Sequence, residues 1–426
     1  MAFPALADVR SLVIVHTNDF HGHILEEGEY AGAARIAGLI WQLKKARKDV
    51  LAMDAGDAVS GTPVSTLFQG TPIYRIMSSM GYDLGNLGNH EFDYGYDQIR
   101  TFKKVAGFPL LGANAFDPGS RLLADSAWKI IKINGIRIGV IGVITPSTPN
   151  IIIPQGNEGL IFLAPEKIIQ KGIDALQADV DLIIVLSHLG FAGDKQIARS
   201  VPGIDLIIGG HSHTRLWPAL KIQETWLVQA GRYGTHAGKV EITVDTDNDH
   251  IVAFHSTLIP AHDLPAAEPR VQKLVDKWQS QIDTMLDREI AHSPVTLANE
   301  ALRGLMEQIM TEATGADFGY YNMGGIRDAI PAGKVTARHL WNIEPFGNTL
   351  VTMRLTGRQL KHLLLREGEV RADFQALDDD QVFIVATNNF AAAHAQKTFN
   401  DILVQDKDLL IRDLLVQAIQ RNGLSP

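Results

Sequence analysis

The sequence predicts an α/β protein in two parts: a layered α/β domain over residues 9–262 and a smaller α+β domain over 291–426, joined by a helical linker over 263–290. Three observations carry this. Short β-branched runs alternate with helical stretches from Ser11 to His262, a charged stretch with helical spacing breaks that rhythm, and beyond it strands and helices recur without regular alternation. At 426 residues the chain is long enough for two cores.

In the first part, "SLVIVHTND", "DVLAMDAGD", "YDLGNLGNHE", "RIGVIGVIT", "DLIIVLSHLG" and "IDLIIGGHSH" each read as a buried strand running into a polar loop. Between the first two, Ile36, Leu39, Ile40 and Leu43 are spaced for one face of a helix. "WLVQAGRYGTHAGKVEITVDT" is expected to form paired strands punctuated by glycine, closed by the acidic turn "DTDND". The linker carries Val271, Leu274, Val275 and Trp278 at helical spacing. The last part is expected to hold a helix over 302–314, strands at "TLVTMRLTG" and "QVFIVATNN", and a closing helix over 409–420.

Most of the early strands share one design, with metal-capable residues directly after the apolar run, at the carboxyl end where α/β sheets place their ligands. In order these are Asp19 and His21, Asp57, Asn89 and His90, His188, and His211 and His213. Oxygen mixed with imidazole nitrogen suits manganese, zinc, iron, cobalt or nickel rather than magnesium alone. The set exceeds what one tetrahedral zinc needs, so two ions are expected. Asp57, with two carboxylate oxygens, suits a bridge between ions roughly 3.5 to 4 Å apart. His16, His23, His236, His250 and His292 read as ordinary satisfied groups, and Asp54 as a strand-end acceptor.

These pieces, "DFH", "GD", "GNHE", His188 and "GHSH", stand in the order D-x-H, G-D, G-N-H-[ED], H, G-H-x-H, and the chain resembles the calcineurin-like metallophosphoesterases on them. "IVHTNDFHGHI", "DAGDAVSGTP" and "GNHEFDYG" resemble the 5'-nucleotidase and UDP-sugar hydrolase branch. The resemblance implies an αββα sandwich, with Asp19, His21, Asp57 and His213 on one divalent ion and Asp57, Asn89, His188 and His211 on the other, manganese or zinc. It implies hydrolysis of nucleotide phosphate esters by a metal-bridging hydroxide. His90 is then expected to face the phosphoryl group, Asp93 to orient His90, and Glu91 to brace the turn.

The segment "YYNMGGIRDAIPAGKVTARHLWNIEPFGNTLV" resembles the branch's carboxyl-terminal domain, which implies that Arg327 holds substrate phosphate, Asn322 contacts the nucleoside and Phe346 stacks on the base. Three features depart from the pattern. "AHSPVTLANEALRGL" lacks the further arginines, "NNFAAAHAQKTF" replaces a glycine turn so that Phe399 takes the second stacking position, and the interval before "QVFIVATNN" is short. The departures motivate alternative readings as a 2',3'-cyclic nucleotide phosphodiesterase, a thiosulfohydrolase or a non-catalytic surface protein.

A net charge of −9 argues against nucleic acid polymers as partners, and an anionic substrate would need local positive charge from metal ions or a few arginines; the small-molecule nucleotide or other phosphate ester is what the resemblance implies. With no cysteine there is no disulfide, zinc-thiolate site or thiol nucleophile. No apolar run approaches the roughly 20 residues of a membrane span. The small-residue "ALA" before Asp8 favours a periplasmic or secreted protein, with the cytoplasm as the alternative.

Overall fold

The computed structural model describes residues 8–152, 156–366, 372–399 and 402–424. It divides into two compact units, Met1–Gln279 and Ser280–Pro426.

The first unit is built on two six-stranded sheets. One runs, edge to edge, His250–Pro260, His236–Asp245, Val9–Thr17, Val50–Asp54, Leu84–Asn86 and Leu110–Leu111. The other runs Arg215–Ile222, Thr225–Ala230, Leu206–Gly209, Leu182–His188, Ile136–Ile144 and Trp128–Ile133. The four strands from Val9–Thr17 to Leu110–Leu111 are mutually parallel, as are the four from Thr225–Ala230 to Ile136–Ile144. Their carboxyl ends therefore collect along one edge of each sheet.

A period of two explains the layering. Leu182, Ile184 and Leu186 enter the core shared with Leu12, Ile14, Leu51 and Met53 of the other sheet, while Ile183 and Val185 face Ile169, Ile173 and Ile197 of the helices Pro165–Leu176 and Gly190–Ser200. Both faces of that strand are buried, which is why it reads as an unbroken apolar run. Helices Gly32–Ala46 and Thr71–Met80 pack together and bury Ile36, Ile40, Ile73 and Met77. The result is the αββα order of layers.

One expectation changes here. The strands flanking "GRYG", Thr225–Ala230 and His236–Asp245, are not partners: one belongs to each sheet, and residues 231–235 cross between them. The linker region forms the helix Pro269–Leu286, along which Val271, Val275, Ile282 and Leu286 are buried, and the division between the units falls within it.

The second unit has a four-stranded sheet in the order Phe318–Gly319, Val382–Asn388, Thr349–Thr356, Val404–Leu410, and a two-stranded ribbon of Glu289–Ser293 with Gly333–Thr336. Helices Asn299–Thr314 and Ile411–Asn422 supply Leu302, Met306, Met310, Leu415 and Ile419 to its core. Where the sequence lacks a glycine turn, "NFAAAHAQKT" forms a helix over Asn389–Thr398, capped by Asn388 Oδ1 accepting from Ala391 N–H. Among the described residues no helix is long and apolar enough to cross a membrane.

Candidate metal centre

Five of the residues at the strand ends hold a left-handed backbone. Asp19, His21, Asp57, His211 and His213 have φ between +49° and +73°, a region that costs about 1–3 kcal/mol per non-glycine residue. The loops that impose it are tied to one another. Asp19 N–H donates to Gly56 O at 2.9 Å, His21 N–H to Asp57 O at 3.0 Å, and His211 N–H to both Asp19 carboxylate oxygens at 3.0 Å.

The side chains converge as two overlapping groups. Ligand atoms of Asp19, His21 and His213 lie within 4.8 Å of one another, as do those of Asp57, His188 and His211. A third grouping, His21, Asp57 and His90, joins them. His21 Nε2 is 3.2 Å from His213 Nε2 and 3.9 Å from both Asp19 Oδ1 and Asp57 Oδ2. Lone pairs and carboxylates crowded this closely need protons or a metal cation shared among them.

Two orphaned atoms point the same way. His188 Nδ1 is hydrogen-bonded to Ala55 O at 2.8 Å, which leaves Nε2 as the ring nitrogen that faces the centre. That atom is 2.9 Å from Asp57 Oδ2 but makes no hydrogen bond with it, and Asn89 Oδ1 is likewise buried without a partner. Buried acceptors without donors are costly, and a divalent ion satisfies them. The residues present thus fit a metal pair.

Electrostatics follow from burial and the two aspartates. Burial pushes His21 down to about 3 against the pull of Asp57. Burial alone would also lower His188, but Asp57 at its Nε2 outweighs it and pushes the imidazole up to about 10. Protons and divalent cations compete for such lone pairs, so ion binding displaces protons.

The turn after Leu84–Asn86 separates its polar groups by direction. Glu91 is fully buried and accepts from Asp57 N–H at 3.0 Å, Ala58 N–H at 2.9 Å, Gly88 N–H at 2.6 Å and Tyr74 Oη at 3.2 Å, so it braces the turn. His90 N–H donates to Asp57 Oδ1 at 2.8 Å, while its ring Nδ1 lies 2.6 Å from Asp93 Oδ2. Burial opposes a charge on His90, but Asp57 and Asp93 push it up to about 10. Asp54 accepts from Thr17 Oγ1 at 2.6 Å and Gly56 N–H at 3.1 Å, at a strand end.

Four participants were not singled out in the sequence. Asn18 Nδ2 donates to Asp19 Oδ2 at 2.6 Å, and Ser60 Oγ donates to Asp93 Oδ2 at 2.6 Å. Tyr233 meets the His21 and His213 rings edge-on at 5.4 and 5.6 Å and stacks on His23 at 4.3 Å; Arg232 reaches His213. The run Asn18–Asp19 and the glycine-flanked "RYG" were the available signals.

In the second unit Arg327 is exposed, with its N–H bonded to Ile343 O at 2.9 Å, and Asn322 Oδ1 accepts from Asn388 Nδ2 at 2.8 Å. Phe346 is 59% exposed. Phe399 departs from its expected place. It follows the helix that replaced the glycine turn, and its half-buried ring packs on the core and meets His362 edge-on at 5.5 Å. The exposed aromatic there is Phe390, at 54%.

Chelation should be readable as stability. An ion held at 100 times its Kd stabilises by about 2.7 kcal/mol, worth roughly 5 to 10 °C in Tm for a unit of this size. Calorimetry before and after dialysis against a chelator is expected to show that drop, reversed by re-adding manganese or zinc.

Comparison with known proteins points to the same two-domain architecture. Residues 12–215 match the calcineurin-like phosphoesterase family and residues 281–373 the 5'-nucleotidase C-terminal domain. The chain is 28% identical over 416 residues to Protein UshA of Yersinia enterocolitica, covering 83% of this chain and 75% of that one. It is 28% identical over 424 residues to the 5'-nucleotidase of Bos taurus, covering 85% and 73%. The solved 5'-nucleotidase precursor of Thermus thermophilus superposes with a TM-score of 0.77 at 26% identity, over 98% of this chain and 97% of that one. With a strand-end centre fit for two ions, the chain thus carries a calcineurin-like phosphoesterase domain followed by a 5'-nucleotidase C-terminal domain, the pair of domain types that places it among metal-dependent phosphoesterases.

Proposed function

We propose that this protein hydrolyses phosphate esters of nucleotides, with nucleoside 5'-monophosphates and related diphosphates as its substrates. The observation that carries the reading is the convergence of Asp19, His21, Asp57, Asn89, His188, His211 and His213, two of them with orphaned buried acceptors, beside the His90–Asp93 pair. Asp19, His21, Asp57 and His213 would hold one ion, and Asp57, Asn89, His188 and His211 the other. Manganese or zinc suits this donor set. Such ions supply Lewis acidity toward phosphoryl oxygens and lower the pKa of water.

The side chains do the rest. Asp93 accepts a hydrogen bond from His90 Nδ1–H and fixes the ring, and Ser60 holds Asp93 in turn. His90 keeps a proton at Nε2 and donates it toward the charge that grows on the phosphoryl and leaving oxygens. Asn322, Arg327 and Phe346 recognise the nucleotide: a planar cationic fork for phosphate, an amide for the nucleoside and an exposed ring for the base. Phe399, packed on its own core, is left out of this set.

A substrate panel on metal-loaded protein tests the reading. Nucleoside 5'-monophosphates are expected to give the highest kcat/KM, ahead of 2',3'-cyclic nucleotides and thiosulfonates. Higher values for either of those would move the function to the alternative named for it. Failure to release phosphate from any nucleotide or aryl ester would leave a binding protein on the same fold.

A further inference from the structure

The crossing between the two sheets carries an arginine that the roles assigned above leave unused. Its backbone is pinned on both sides. Gly231 N–H donates to Thr214 O at 3.1 Å, Asn18 Nδ2 to Gly231 O at 2.6 Å, and Tyr233 N–H to Asp19 O at 2.7 Å. Thr235 closes the turn, donating to Arg232 O from its N–H at 3.0 Å and its Oγ1 at 2.8 Å. Arg232 thus rises from a fixed point between the loops that bear Asp19 and His213.

Its guanidinium is exposed, 4.8 Å from the centroid of the Tyr233 ring, with Nη1 3.5 Å from His213 Nδ1. Among the described residues it pairs with no carboxylate. At 3.5 Å the histidine contact is at the limit of a hydrogen bond and engages one nitrogen of the fork, so most of the five guanidinium N–H donors are left for another acceptor. Stacking on Tyr233 at an exposed site is weaker than a charge-assisted pair with an oxyanion.

We propose that Arg232 binds an oxyanion of the phosphate ester and of the product phosphate, from within the catalytic unit itself. The proposal rests on the phosphoesterase reading and goes beyond it. It places beside the metal centre a phosphate-binding cation on a chain of net charge −9, whose second domain has Arg327 but no arginine in "AHSPVTLANEALRGL" ahead of Arg303. A planar fork on a rigid turn suits a tetrahedral oxyanion better than a flexible ammonium does.

Calorimetric titration of inorganic phosphate into the metal-loaded full-length protein reads this without turnover. Arg232→Ala is expected to weaken phosphate affinity about tenfold, or ~1.4 kcal/mol, and to raise KM for an aryl phosphate more than it lowers kcat. Arg232→Lys, which keeps the charge without the fork, should recover part of the loss. Arg100→Ala removes the same charge from a surface helix, where Arg100 pairs with Asp97 at 3.3 Å, and should change neither value. Unchanged phosphate affinity in Arg232→Ala, with hydrolysis and metal content intact, overturns the role of Arg232 and leaves the phosphoesterase reading standing. Loss of bound metal in that variant also overturns it, because Arg232 would then serve His213. Wild-type protein that neither binds phosphate nor hydrolyses esters overturns both.

Discussion

Replacing His90 with alanine is expected to lower kcat by about 10² to 10⁴ while two ions per chain remain bound. The separation of these two effects follows from where its atoms point. The amide that serves Asp57 belongs to the backbone and survives the substitution, whereas ring Nδ1 is engaged by Asp93. Removing the ring therefore removes a proton donor and leaves the donor set around the ions. The alternative is specific, because His90 also lies within 4.8 Å of ligand atoms of His21 and Asp57. Elemental analysis of dialysed protein decides it: a variant that retains its turnover sinks the catalytic assignment, and one that loses an ion makes His90 a ligand.

Asp57→Ala is expected to be more severe, reducing bound metal to one ion or fewer per chain and turnover to background. Asp57 belongs to both ion groups in the proposed assignment, it is 1% exposed, and its second oxygen takes the His90 amide. His21→Ala touches one group, so it should cost one ion and leave the other. The same elemental analysis, paired with phosphate release, separates the two. If Asp57→Ala kept both ions, the bridging role would be lost, and Asp19 would have to hold the centre together through His21 and His213.

How much was legible beforehand depends on how local each feature is. The strands at "SLVIVHT" and "DLIIVLSH" and the polar residues after them follow from side-chain period and composition, which neighbours in the chain determine. The left-handed backbones of Asp19, His21, Asp57, His211 and His213 left a fainter trace, since Asp and His tolerate that region better than most residues do. Glycine-flanked "RYG" marked the segment, but the place of Arg232 and Tyr233 was not legible. Their place depends on "GRYG" leaving one sheet for the other, while the local pattern of two strands about a glycine turn is equally that of a hairpin.

Phe399 shows the same limit from the other side. A motif position suggested a stacking ring, but replacing the glycine turn by alanine-rich sequence made a helix, and the helix delivered that ring to the core. By itself, then, the sequence determined which residue types stand at which strand ends, and so the chemistry of a two-ion centre. Only the tertiary structure decided that those ends lie on facing sheets, that Asp57 sits among the histidines of both groups, and that an arginine on the crossing turn stands beside them. The physical reason is that periodicity and turn chemistry act over a few residues, whereas sheet order is chosen by the burial of faces contributed from the whole unit.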